Sequence, residues 1–224
     1  MTDSNQKILQ SAHSPLKANV YLDADSTPPV VIKDYSQSPA WLRKTICKLL
    51  MNREIATLQS LHGIAGIPKY MGLHGSDAYQ MEYIEGLSPD HQFLGTTPGL
   101  LSQLANIVEQ MHNRGVTHND LRPHNLIITP ANQVYLIDFG AVAYRPKSNA
   151  PWAKPGHWLF NFLRNTDCSK VARLKAEFRP TELTEIDQDL ISKTQFARKT
   201  TRWWKKNVLP VISPAKHQKD KNQR

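Results

Sequence analysis

The chain has 224 residues, 40% of them hydrophobic, with 28 Lys and Arg against 19 Asp and Glu for a formal charge of +9. That length supports one large domain or two lobes around a shared cleft, and two distant cysteines, Cys47 and Cys168, exclude a disulfide framework or cysteine metal cluster and point to a reducing, cytoplasmic setting. No stretch approaches the ~18–20 consecutive apolar residues of a membrane span, and the start MTDSNQKILQ has no apolar signal core, so a soluble, unprocessed chain is expected.

Residues 1–17 are polar and read as irregular. ANVYLDADSTPPVVIKDY follows as two strands, Ala18 to Leu22 and Val30 to Lys33, joined by a turn with Pro28 and Pro29. From Pro39 the period changes: Ile46, Leu49, Leu50, Ile55, Leu58 and Leu61 recur at helical spacing. One helix is expected over 39–62, with Ser38 as cap and Pro39 at the first position, where its missing N–H has no intrahelical use. Strands over Lys69 to Leu73 and Ala78 to Tyr83 complete a sheet that carries this helix. Leu100, Leu101, Leu104, Ile107, Val108 and Met111 then form a helical stripe that Gly115 ends. Leu126 to Ile128 and Val134 to Ile137 read as strands around TPANQ. Beyond Gly140, HWLFNFLRN, SKVARLKAEF and PTELTEIDQDLISKTQF read as helices. No internal repeat is present.

The informative stretch is THNDLRPHNLIITPANQVYLIDFGAV, residues 117–142. Asp120 and Asn125 lie five apart in a polar loop, and Asp138 follows an apolar strand thirteen residues later. Read alone, these residues would also suit a hydrogen-bonded turn and a helix cap. In order, HNDLRPHN and IDFG resemble the catalytic loop and metal-binding triplet of protein-kinase-like enzymes. The resemblance implies ATP and magnesium as cofactors and a hydroxyl-bearing acceptor, a sugar or a protein. It implies Asp120 as catalytic base, Asn125 and Asp138 as metal ligands, His118 as a brace for the loop and Arg122 as a cation steadying the transferred phosphate. Magnesium, which takes one or two carboxylates with phosphate and water oxygens, suits that pair.

The same likeness makes Lys33, at the end of VVIK, the lysine that holds the α- and β-phosphates. Its partner is expected on the next helix, and between residues 35 and 76 the only acid is Glu54. QMEYIEG, residues 80–86, resembles the hinge between lobes, where backbone at Glu82 to Ile84 would receive adenine. Read alone, Lys33 and Glu54 also suit a surface lysine and a solvent-facing glutamate, and QMEYIEG an edge strand.

The chain departs from ordinary protein kinases in two places. ILQSAHSPLKANVYL contains no glycine where a G-x-G-x-x-G loop would cover the phosphates, which predicts weaker or differently organised nucleotide contacts. No A-P-E follows Gly140, and the remaining 84 residues are too few for a full helical lobe with a phosphorylated activation segment. The compact form is similar to the bacterial lipopolysaccharide-kinase (Kdo/WaaP) group, with RIO-type kinases and the small kinase of the KEOPS complex close behind. The implied fold is α+β and two-lobed, with a small antiparallel β-sheet N-lobe and a reduced, mostly helical C-lobe. Its parts would be a polar segment 1–17, an N-lobe and hinge 18–86, a C-lobe 87–197 and a basic tail 198–224. Asp167 is the candidate helical acid bracing the catalytic loop, although it also reads as a cap ahead of SKVARLK.

Residues 193–224 hold ten Lys and Arg against one acid, Asp220, while the first 192 residues balance at 18 and 18. RKTTRWWKKNVLP therefore reads either as a peripheral contact with the anionic inner face of a membrane or as a last helix packed through Trp203 and Trp204. The neutral body argues against nucleic acid as a partner. An active kinase is the first reading of function, and a nucleotide-binding pseudokinase scaffold the alternative.

Overall fold

The computed structural model describes residues 7–193; the basic tail with Trp203 and Trp204 lies outside the described residues. The N-terminal half is one antiparallel sheet of five strands in the order β1-β2-β3-β5-β4. These are β1 (Lys7–Gln10), β2 (Asn19–Asp23), β3 (Val30–Asp34), β4 (Tyr70–Leu73) and β5 (Ala78–Glu82). β3 lies between β2 and β5, and its Val30, Val31 and Ile32 are all buried, so a continuous apolar run there fits a strand covered on both faces. β1 corrects the expectation of an irregular start. All four of its residues are exposed, so it leaves no hydrophobic pattern to read; only pairing with β2 defines it.

Between β3 and β4 run α1 (Ala40–Leu42), a π-helical turn (Arg43–Cys47) and α2 (Lys48–Ser60). Ser38 is not the cap. Pro39 occupies that position in an extended conformation without a side-chain cap, and Ser38 is buried with its N–H donated to the Tyr35 carbonyl. Cys47, Met51, Glu54 and Leu58 recur at three and four residues, and all four are buried. That stripe puts a carboxylate among apolar side chains, where it needs a counter-charge.

The C-terminal half contains α3 (His91–Thr96), α4 (Leu100–Asn113), β6 (Val116–Thr117), β7 (Leu126–Ile128), β8 (Val134–Leu136), β9 (Ala143–Tyr144) and α5 (Lys154–Phe178). α3, unmarked by apolar period, is set by Asp90, whose carboxylate accepts from the Phe93 N–H at 2.7 Å. α4 buries the expected stripe and stops before Gly115 at φ 77°. β6 pairs with β9 and β7 with β8. The two helices expected after residue 156 are one helix of 25 residues, because Asp167 between them is fully buried and bonded. Lys175 to Asp187, 3.0 Å, holds the end of α5 to the helical residues 185–193.

One apolar core runs through both halves, from Val31, Met51 and Tyr79 to Leu104, Leu126 and Val171. The strand exit at Gly86 crosses β7 so closely that a Cβ there would lie 2.4 Å from the Ile128 carbonyl oxygen, which excludes any larger residue. Among the described residues no helix is long and apolar enough to cross a membrane.

Candidate active site

The loop between β6 and β7 is held mainly from beneath. Asp167 on α5 accepts the N–H of His118 at 2.7 Å and of Asn119 at 2.9 Å, with His112 Nε2 at 3.3 Å. The helical acid thus braces the loop and is no cap. His118 is fully buried; its Nδ1 accepts the Asp120 N–H at 3.3 Å, so Nε2 carries the proton and donates to the Ile137 carbonyl at 3.2 Å. Burial pulls its pKa down despite Asp167, which favours this neutral tautomer. One imidazole therefore links the backbone of this loop to the segment that leads to Asp138.

Above it, Asp120 Oδ1 meets Arg122 Nε at 2.8 Å. Asn125 Nδ2 donates to the Asp120 carbonyl at 2.8 Å and to Oδ2 at 3.2 Å. Because the donor half of the amide is spent, Oδ1 remains as its contact atom for a cation. The Asn125 carbonyl accepts the Ile137 N–H at 2.9 Å, which sets Asn125 beside the residue before Asp138. Asp138 has φ 66°, an uncommon backbone for a non-glycine residue and one met at functional sites.

From the sheet side, Lys33 Nζ lies 2.5 Å from Glu54 Oε1 and 3.9 Å from Asp138 Oδ1. Burial alone would lower the lysine pKa, but Glu54 and Asp138 outweigh it and push it up to about 12. The ammonium is thus charged at any physiological pH. Burial, reinforced by Glu54, pushes the Tyr35 and Tyr79 phenols up, so both stay protonated around the pair.

The sheet, the turn before β2 and the start of the segment after Asp138 enclose a cavity of about 190 Å³, lined by Leu16, Lys17, Lys33, Glu54, Asp138 and Gly140 among others. Sequence reading missed Lys17 there. The glycine-free turn spends its own amides, since Lys17 N–H donates to the Ser14 carbonyl at 2.9 Å and Leu16 N–H to Ser14 Oγ at 3.4 Å. Cys47 Sγ reaches the Pro15 carbonyl at 3.6 Å and pins the turn to the helix.

The residues expected at the hinge bring one correction. The Glu82 N–H donates to the Lys69 carbonyl at 2.8 Å, and its carboxylate accepts the Lys69 N–H at 3.0 Å. Both groups are spent on the strand pair, so the amide of Glu82 is not open to a ligand. Ile84 is buried and makes no hydrogen bond among the described residues. A second cavity, about 360 Å³, runs from Gly86 and Leu87 to Phe93 and Pro130 and touches none of the charged residues above.

Two further residues were not foreseen. Asn119, at φ 69°, donates its amide to the Ala141 carbonyl at 2.8 Å. Asparagine is among the non-glycine residues that accept this conformation most readily, which is the signal its position carried. Lys170, one turn beyond Asp167, donates to the Asn119 carbonyl. Burial pulls its pKa down, with Arg122 adding to the effect, against Asp167 and Asp120. The segment after Asp138 is also tied to α2: Arg53 donates to the Val142 carbonyl, and Thr57 Oγ1 lies 2.5 Å from the Tyr144 hydroxyl.

The RIO domain family matches residues 32–153, more than half of the chain. The chain belongs to the RIO-domain family. Within it, the antiparallel N-lobe, helical C-lobe and α+β composition are those of a protein-kinase-like fold. A probable bifunctional tRNA threonylcarbamoyladenosine biosynthesis protein of Methanosarcina mazei is 30% identical over 155 residues, 68% of this chain and 27% of the relative. The probable serine/threonine-protein kinase YbdM of Bacillus subtilis is 32% identical over 133 residues, 54% of this chain and 51% of the relative. The serine/threonine-protein kinase PknD of Mycobacterium tuberculosis is 30% identical over 112 residues, 46% of this chain and 17% of the relative. This RIO-domain chain thus spans about a quarter of the first relative and half of the second.

Proposed function

We propose that the protein is an ATP- and magnesium-dependent phosphotransferase that moves the γ-phosphoryl group to a hydroxyl, with a protein serine or threonine as acceptor. The observation that carries this reading is the convergence of Lys33, paired with Glu54, on Asp138, while Asp120 is oriented by Arg122 and Asn125. In this reading Lys33 holds the α- and β-phosphates, Asn125 and Asp138 hold magnesium, and the metal offsets charge as the bond to the leaving phosphate lengthens. Asp120 accepts the proton of the attacking hydroxyl, and Arg122 steadies the transferred group. Ile84 and the Glu82 carbonyl receive adenine.

The serine/threonine kinases among the relatives favour a protein acceptor. The lipopolysaccharide-kinase likeness of the compact form keeps a sugar hydroxyl as the acceptor to assay second. The test is magnesium-dependent ATP turnover by the purified chain, with autophosphorylation sites mapped by mass spectrometry. Asp120→Asn should lower turnover by about 10²–10⁴ while sparing nucleotide binding, and Asp138→Ala should weaken magnesium-dependent nucleotide binding as well. Full turnover in both variants overturns the assignment. Bound nucleotide without turnover on protein or sugar acceptors favours the scaffold reading.

A further inference from the structure

The first turns of α5 are apolar on two opposite faces. Inward, Phe160 is buried beneath the Arg145 guanidinium, 4.9 Å from its ring centre. Outward, Trp158, Leu159 and Phe162 are 68, 48 and 51% exposed, and Trp152 just before the helix is 81% exposed. Trp158 and Phe162, one turn apart, stack with ring centres 5.9 Å apart and planes at 13°. A helix lying on its own domain turns polar residues to water, and an aromatic face of this kind marks an interaction surface.

Charge identifies the partner. From Phe139 to Thr166 there is no Asp or Glu, while Lys147 and Lys154 are exposed on the segment that carries the rings. Lys154 precedes Trp158 by one turn and so shares its face. The chain past residue 193 adds nine more Lys and Arg and a single acid. A protein partner for bulky rings on a convex helix would have to offer matching pockets, and no acid on this face sets a register for one. A bilayer needs no pockets: indole and phenyl rings settle at the boundary between headgroups and acyl chains, and Lys and Arg are drawn to anionic headgroups.

We infer that the outer face of α5 docks on an anionic membrane surface, with Trp152, Trp158 and Phe162 at the headgroup boundary and Lys147 and Lys154 over the headgroups. This goes beyond phosphoryl transfer and does not depend on it. Phe162 and Lys170 are eight residues apart, about 12 Å along the same helix, so docking brings the catalytic loop close to the bilayer.

The test is co-sedimentation of the full chain with phosphatidylcholine vesicles, with and without phosphatidylglycerol. Binding is expected only with the anionic lipid and should fall as salt rises. Trp158→Ser with Phe162→Ser should weaken it roughly ten-fold or more, with unchanged thermal melting because both side chains are exposed. Trp41→Ser, exposed on α1, should leave it unchanged. Lys147→Glu with Lys154→Glu gives an independent arm and should also release the protein. Trp158→Phe keeps the apolar face, so binding stays while quenching of tryptophan fluorescence by brominated lipid drops. The inference is overturned by a wild-type chain that ignores anionic vesicles, by full binding of the double serine variant, or by quenching unaffected in Trp158→Phe.

Discussion

The floor and the roof of the cleft are built in opposite ways. The loop that carries Asp120 rests on Asp167 and His118, both fully buried, and nearly every polar atom beneath it has a partner. The turn 11–18 is largely exposed, spends its amides on Ser14 and is anchored by Cys47 and by Asn19, which accepts the Ala12 N–H at 2.8 Å. It also lies outside the stretch matched by the RIO domain. The contrast teaches where rigidity is needed. In the proposed transfer a hydroxyl must be aimed to a fraction of an ångström, whereas phosphates can be gripped by long cations reaching from a looser frame.

The largest effect is expected from Asp167→Ala. It leaves the His118 and Asn119 amides buried without an acceptor, and a loss of about 2–4 kcal/mol in denaturant unfolding is expected. A loss below ~1 kcal/mol would mean that the floor is not held from α5. At the roof, Lys17→Ala should weaken ATP binding by only roughly two- to five-fold, because an exposed cation is screened. AMP, which lacks the outer phosphates, should be unaffected; equal losses for both nucleotides would take Lys17 off the phosphates. The smallest effect is in pH. Since burial lowers the folded pKa of His118 below its ordinary 6.5, the unfolded chain binds more protons just below that value. Its contribution to stability is therefore whole above pH 6.5 and is lost as pH falls through the folded pKa. His118→Gln, which keeps a donor and an acceptor, should flatten this part of the stability profile relative to wild type.

The floor was largely legible in the sequence, and the roof was not. The spacing of Asp120, Asn125 and Asp138 is set within one hairpin, so it survives as a linear motif. Glu54 could be paired with Lys33 because it is the only acid between residues 35 and 76. β1 was illegible because it buries nothing, and Lys17 because its use depends on how a turn of Ser, Pro and Leu folds back over the cleft. Lys170 looked like one more helical lysine. Its role follows from α5 running unbroken past Asp167, which brings residues 49 and 51 positions away from His118 and Asn119 to the loop. At the expected hinge the Glu82 amide is committed to Lys69, a strand-pairing detail that no local pattern encodes.

The short segment after Asp138 has one more consequence. Asn119 grips it at Ala141, and Arg53 and Thr57 hook it to α2 at Val142 and Tyr144. The helix that carries Glu54 is thereby moored on both sides and has no parked position it can reach without casting off those lines. Any swing of that helix away from Asp138 would have to break the Arg53 and Thr57 bonds together with the Lys33–Glu54 pair.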